Sequence, residues 1–211
     1  MRNIDFFKNK KVIIAGFARS GLACANLLFS LGANVSISDN NETKATRLNL
    51  SKLKSEEIKT ELGAHTRQFL QHNDILIISP GVPKDALPIL WAQELNIPVI
   101  SEIEVAWILC PATVIAVTGS SGKTTVTTLI GKIIEASGKK AFICGNIGTP
   151  FSAQVSKVRV EDFVCLEASS FQLEHSRDFR PKIAVMLNFS KNHLDRHKDM
   201  HEYLEAKRRI F

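Results

Sequence analysis

The sequence predicts an α/β protein built from two successive parallel-sheet units. Three observations carry that reading. Short apolar runs alternate with segments of helical periodicity, two of those runs pass through a glycine-rich turn straight into a helix, and the second such opening falls mid-chain. A strand, turn and helix starting afresh imply a second sheet, which divides the chain into residues 1–110 and 111–211.

The elements follow in order. Val12-Ile13-Ile14-Ala15 is a buried strand, Gly16 and Gly21 frame the turn after it, and Leu22, Ala25, Leu27, Leu28 and Leu31 recur on a helical face that ends at Gly32. A second strand, Val35-Ser36-Ile37-Ser38, stops at Asp39. Charged helix-and-loop sequence then runs to about Gln71, before Ile75-Leu76-Ile77-Ile78 reads as a strand buried on both faces and broken by Ser79-Pro80-Gly81. Residues 86–95 are helical and Val99-Ile100-Ser101 is a further strand. After Pro111 the pattern restarts with the strand Val114-Ile115-Ala116-Val117, a Gly/Ser turn over residues 118–122, and a helix from Lys123 to Ala136 closed by Gly138. Residues 141–143, 163–166 and 183–187 read as strands, and 200–210 as a helix.

Composition narrows the classes. With 211 residues and 45% hydrophobic content the chain can bury a substantial core. Cys24, Cys110, Cys144 and Cys165 stand far apart with no C-x-x-C pair, and read as reduced core residues. The first apolar run is too short for a signal or a membrane span, so a cytoplasmic protein without a membrane partner is expected; it is also expected to be a monomer. A net charge of +6 and a pI near 9.2 raise nucleic acid as a partner. The basic residues are scattered, however, and no nucleic-acid-binding motif accompanies them, so anionic small molecules fit better.

Two loops carry the chemistry. Gly16-Phe17-Ala18-Arg19-Ser20-Gly21 is a G-x-A-x-x-G variant of the dinucleotide fingerprint, which makes the first unit Rossmann-like. Ala18 in place of the middle glycine argues against NAD and for another pyrophosphate ligand, and Asp39 at the end of the second strand stands where an acidic residue binds a ribose or a base. A glycine turn that only packs strand on helix is the plainer reading. Ser79-Pro80-Gly81-Val82-Pro83 would lie at the carboxyl edge of the same sheet, where open α/β folds bind ligands. The second loop, Thr118-Gly119-Ser120-Ser121-Gly122-Lys123-Thr124-Thr125, has the strand-loop-helix context of a P-loop, although Val117 replaces its first glycine. Backbone N–H groups of Gly119, Ser120, Ser121 and Gly122 would cradle the phosphates of ATP, Lys123 would neutralise charge, and Thr124, followed by Thr125, would ligate Mg2+.

Further motifs follow: Gly145-Asn146-Ile147-Gly148, Glu167-Ala168-Ser169-Ser170-Phe171-Gln172-Leu173, and Asn192-His193-Leu194-Asp195-Arg196-His197. With the two loops and in this order they resemble the Mur ligases, over essentially the whole chain, and most nearly the D-glutamate-adding branch. The resemblance implies ATP-dependent amide ligation, in which the carboxylate of UDP-N-acetylmuramoyl-L-alanine is phosphorylated and the amine of D-glutamate displaces phosphate from the acyl phosphate. It implies that Glu167 ligates magnesium, that His193 serves a second magnesium, and that Lys207 becomes a metal ligand once carbamylated. It also implies that Asn146 contacts the sugar nucleotide, with Asp39 and Ser20 near uracil and pyrophosphate and Ser79 and Gly81 in the same site. The family's chains run to roughly twice this length, so the D-glutamate site is expected outside these residues and the second unit is expected to be truncated. The 211 residues alone are then expected to bind the UDP-sugar without completing ligation, with residues 1–110 able to fold alone.

Other readings compete. His193, His197 and His201 recur at helical spacing and would form a zinc face if that stretch were one helix. Lys207 beside Arg208 and Arg209 could be an ordinary basic helix face, and Glu167 a solvated turn residue. An NAD-dependent oxidoreductase would account for the first loop and leave Gly122-Lys123-Thr124 without a purpose. A non-catalytic nucleotide-binding module is the remaining alternative.

Overall fold

A computed structural model of the chain describes residues 4–192 and 196–211. His193 therefore lies outside the described residues, and so does its expected role. The first half runs β1 (Lys11–Ala15), α1 (Arg19–Ser30), β2 (Asn34–Asp39), α2 (Lys44–Leu50), β3 (Lys59–Leu62), α3 (Arg67–Leu70), β4 (Ile75–Ile78), α4 (Leu87–Glu94), β5 (Val99–Ser101) and α5 (Glu102–Leu109). The second half runs β6 (Thr113–Thr118), α6 (Lys123–Ala136), β7 (Ala141–Gly145), β8 (Phe163–Glu167), α7 (Ser170–Leu173), β9 (Ile183–Met186) and α8 (Met200–Arg208).

Two parallel sheets result, in the orders β3-β2-β1-β4-β5 and β7-β8-β6-β9. In the first, β1 lies between β2 and β4, and its side chains alternate between two buried faces. Val12 and Ile14 join the larger apolar cluster with Cys24, Leu28 and Ala106, whereas Ile13 and Ala15 pack with Leu76, Ile78, Ile89 and Ala92 on the other side. A strand covered on both faces reads as an unbroken apolar run, which is why it was visible in sequence. The switch in strand order between β1 and β4 opens a crevice beyond their carboxyl ends.

The sheets share a core. The larger cluster continues from Phe7 and Val12 through Ala106 and Leu109 of α5 to Phe151, Val164, Leu173 and Phe179 of the second half. Ser101 is both the last residue of β5 and the N-cap of α5, its Oγ accepting the Glu104 N–H. Its own N–H donates to His175 O, and its hydroxyl meets that of Ser176 at 2.8 Å. Glu102 and Glu104 are buried in the first turn of α5, where carboxylates complement the helix dipole. Glu102 accepts the Ser152 N–H, and Glu104 accepts those of Arg177 and Asp178.

The stretch around residues 193–201 is not one helix among the described residues. α8 starts at Met200 with Asp199 as its N-cap, so His197 precedes the helix that carries His201. The helical zinc face is therefore not formed. Cys24, Cys144 and Cys165 are buried free thiols, and Cys110 is half-buried.

Candidate functional site

The chain leaves β1 through Gly16, whose φ of +92° falls in the region that glycine occupies without strain. α1 begins at Arg19 with Ala18 as its N-cap, and Ala18 supplies no side-chain cap. First-turn N–H groups at the crevice are thereby left for an anionic ligand. Gly21 is required by contact: a Cβ there would stand 2.0 Å from Gly16 O. Ser79, at the exit of β4, donates its hydroxyl to the same oxygen at 2.8 Å. Asp39 ends β2 and accepts the Phe17 N–H at 2.6 Å and the Asn41 N–H at 2.9 Å, so it anchors the glycine loop as well as facing the crevice.

A cavity of about 680 Å³ fills this crevice. Its walls bring together Ser20, Asp39, Ser79, Gly81 and Asn146, five positions that sequence reasoning placed in one site. Asn146 comes from the second sheet, at the exit of β7, and Arg19 closes the gap between the two halves by donating to Gly148 O at 3.1 Å. His65 also lines the wall, 2.6 Å from Ser38 Oγ, and its pKa is lowered chiefly by burial.

The second loop follows β6. Gly119 and Gly122 have φ of +151° and +78°, and Gly122 is the N-cap of α6 without a side-chain cap. Asn188, past the end of β9, holds the loop from outside. Its Oδ1 accepts the N–H groups of Ser120 and Ser121, each at 3.0 Å, and its Nδ2 donates to Ser121 O. Lys123 Nζ donates to Gly119 O and Ser120 O. Thr124 Oγ1 donates to Glu167 Oε2 at 2.7 Å, and Thr125 follows it in the first turn of α6.

Glu167 is the hub. It is only 2% exposed, at the carboxyl end of β8, so it is no solvated turn residue. Its other oxygen accepts from Asn146 Nδ2 at 2.7 Å. A hydrogen-bonded path thus runs from the cavity wall through Asn146 and Glu167 to Thr124 in the phosphate loop. Lys207, 1% exposed, projects from α8 to donate to Gly119 O at 2.8 Å, with the Tyr203 ring 4.6 Å from its ammonium. Burial first, and the charge of Lys123 second, lower its pKa from 10.5 to about 8. It is not part of an ordinary basic face, whereas Arg208 and Arg209 beside it are exposed.

Sequence reasoning gave no role to Asn188, Gln172 or Arg196, although the last two stand within the S-S-F-Q-L and N-H-L-D-R-H motifs. Gln172 lines the cavity and completes a capping box with Ser169, a pattern that S-S-F-Q does carry. Arg196 donates to Pro80 O, Gly81 O and Val82 O and lies over the Phe171 ring. Nothing local in the sequence assigns these roles to Asn188 or Arg196, because their hydrogen-bond partners are 67 or more residues away.

Parallel sheets whose carboxyl ends bear a glycine crevice on one and a second glycine loop with a buried carboxylate on the other define a two-sheet α/β protein with a cavity where the sheets meet. Residues 10–101 match the profile described as Mur ligase MurD-like, N-terminal domain, and residues 117–211 match that of the Mur ligase middle domain. The chain belongs to the Mur ligase family. It is 44% identical over 203 residues to the UDP-N-acetylmuramoylalanine--D-glutamate ligase of Geotalea uraniireducens, covering 96% of this chain and 45% of that one. The protein of the same name from Geotalea daltonii is 43% identical over 204 residues, 97% of this chain and 45% of the relative. The chain therefore spans about half the length of the curated relatives it matches. Its fold is similar to that of a UDP-N-acetylmuramate:L-alanyl-gamma-D-glutamyl-meso-diaminopimelate ligase from Neisseria meningitides, with a TM-score of 0.60 at 19% identity over 95% of this chain and 67% of that one.

Proposed function

We propose that these residues form the UDP-sugar- and ATP-holding part of a ligase that joins D-glutamate to UDP-N-acetylmuramoyl-L-alanine through an acyl phosphate, in peptidoglycan precursor synthesis. The observation that carries this reading is the path Asn146–Glu167–Thr124, which links the wall of a nucleotide-sized cavity to the phosphate loop. Phosphoryl transfer to a carboxylate needs such a junction, because the donor phosphates and the acceptor must meet. Residues 1–110 form the UDP-sugar unit and 111–211 the ATP unit in this reading. The two relatives from Geotalea support the choice of D-glutamate. The protein works in the cytoplasm as a monomer, with no nucleic-acid or membrane partner, and no helix among the described residues is long and apolar enough to cross a membrane.

Each residue has a role. Asp39 holds the glycine loop and faces the base, Ser20 and the first turn of α1 receive the pyrophosphate, and Ser79 and Gly81 form the opposite wall. Gly119, Ser120, Ser121, Gly122 and Thr125 shape the loop around the ATP phosphates, and Lys123 supplies the cation that neutralises them. The Thr124 hydroxyl and the buried Glu167 carboxylate, 2.7 Å apart, are a hard oxygen pair that fits magnesium. Magnesium, when bound, offsets the negative charge gathered where phosphates and carboxylate approach. His193 is assigned a second magnesium. Lys207, with a pKa of about 8, has an appreciable neutral fraction at ordinary pH. Its amine can then add to carbon dioxide, forming an N–C bond and releasing a proton, which replaces a buried cation by an anionic oxygen ligand.

Calorimetry on the 211-residue chain tests the two-site assignment. Lys123→Ala should weaken MgATP about tenfold or more, as the loss of charge-assisted bonds predicts, and leave the affinity for UDP-N-acetylmuramoyl-L-alanine unchanged within about twofold. Equal loss of both ligands overturns the assignment, and a wild-type chain that binds neither overturns the reading as a whole.

A further inference from the structure

The wall of the cavity formed by residues 79–83 belongs to the first half of the chain, but it is held from the second. Arg196 Nη2 donates to Val82 O at 3.1 Å and Pro80 O at 3.4 Å, and its Nη1 donates to Gly81 O at 3.3 Å. The guanidinium stacks 4.7 Å from the Phe171 ring centroid, which fixes its plane. Phe171 immediately precedes Gln172, itself a residue of the cavity wall. A second link crosses beside the first: Lys84 pairs with Glu202 of α8, whose other oxygen accepts the Lys198 N–H.

The loop so gripped has almost no slack. A Cβ on Gly16 would stand 2.8 Å from Ser79 Cβ and 3.0 Å from Val82 Cγ2, so residues 79–82 lie directly against the glycine loop. Inside the loop the Val82 N–H donates to Ser79 O at 3.0 Å. Any drift of the loop changes both the width of the cavity and the seat of the Gly16 turn.

We propose that Arg196 is a positioning residue for the UDP-sugar: it reaches from the ATP-bearing half to three successive carbonyls and sets the cavity wall at Pro80, Gly81 and Val82. This rests on the reading of the cavity as the UDP-sugar site. A planar fork with several donors is suited to consecutive carbonyls, and a lysine ammonium is not. Arg196 touches no reacting atom. Its effect is on ground-state binding, and a loop ordered beforehand costs the ligand less to engage.

Arg196→Met keeps the length and apolar stem of the side chain and removes every donor, whereas Arg196→Lys keeps the charge. Both variants of the 211-residue chain should be titrated by calorimetry with UDP-N-acetylmuramoyl-L-alanine and, separately, MgATP, and unliganded hydrogen exchange should be followed at the amides of residues 81 and 82. The expected result is a loss of UDP-sugar affinity of about tenfold or more in Arg196→Met, with little recovery in Arg196→Lys. MgATP affinity should stay within about twofold, and exchange at Val82 should be faster. A purely structural role would instead lower the melting temperature and both affinities together, and that result overturns the proposal. Unchanged UDP-sugar affinity, or unchanged exchange at Val82, overturns it too. A wild-type chain that does not bind the UDP-sugar removes the reading of the cavity, and exchange at Val82 in the variants still decides whether Arg196 holds the loop.

Discussion

Gly21→Ala sets two effects of opposite sign against each other. Gly21 lies inside α1, where alanine would ordinarily stabilise a helix by about 1 kcal/mol. The added Cβ, however, would stand 2.0 Å from Gly16 O, 3.1 Å from Gly16 C and 3.1 Å from Ser79 Oγ. The first contact is with backbone and cannot be relieved by rotating a side chain. To reach an ordinary separation the Gly16 turn must move by more than an ångström, on the order of the overpacking that costs roughly 1–3 kcal/mol. That movement also breaks the Ser79–Gly16 hydrogen bond, worth about 1 kcal/mol more. The helix gain offsets a minority of this, so net destabilisation of about 1–3 kcal/mol is expected, a fall in melting temperature on the order of 2–12 °C for a chain of this size. Urea denaturation followed by circular dichroism measures it. UDP-sugar affinity should fall with it, since the displaced turn is the proposed pyrophosphate seat. A variant as stable as the wild type, or more so, would refute the argument that close approach at Gly21 governs this loop.

Asp39→Ala removes the acceptor for the Phe17 and Asn41 N–H groups and should weaken UDP-N-acetylmuramoyl-L-alanine by roughly 1–3 kcal/mol in calorimetry while sparing MgATP; equal affinity in the variant would remove Asp39 from the site. Lys207 bears on pH dependence. Its folded pKa of about 8 lies below the ordinary 10.5, so between these values the unfolded chain binds more protons and stability rises with pH. Lys207→Met should abolish that rise in urea titrations at successive pH values, and an identical pH profile would contradict the buried-cation account. In 13C-bicarbonate the wild-type chain should show a carbamate carbon resonance that Lys207→Met lacks, and its absence from both would discard the carbamylation proposal.

What was legible in sequence was what local chemistry dictates. β1, β4 and β6 are apolar runs buried on both faces, and the turns after β1 and β6 need glycine at positive φ, so these strand-turn-helix openings were apparent. β3 was not. Lys59-Thr60-Glu61-Leu62 is a polar, half-exposed edge strand paired with β2, and it carries no apolar run or alternation. α5 was hidden for the opposite reason: Glu102-Ile103-Glu104-Val105-Ala106-Trp107-Ile108-Leu109 is buried on nearly every side and has no polar face to give it a period. Its two carboxylates are tolerated only because backbone N–H groups 50 and 73 residues away meet them. The first loop, Asp39 and residues 79–83 could be placed at one sheet edge because each sits at a strand exit or helix start, whereas the place of Asn146 beside them came only from the family resemblance. Arg196 and Asn188 act by reaching across the fold, and no local pattern encodes that reach.

The seam at Ser101 has a mechanical consequence. One residue ends a strand, caps a helix and donates to a loop of the other half, with no spacer in which backbone rotation could accumulate. Strand and helix are welded there, while the covalent crossing between the halves lies further on, at residues 110–112. Severing the polypeptide after residue 110 would expose Ala106 and Leu109 to water and strip the Glu104 carboxylate of both its donors. The two halves are therefore expected to resist proteolysis, and to melt, as a single body, against the expectation that residues 1–110 fold alone.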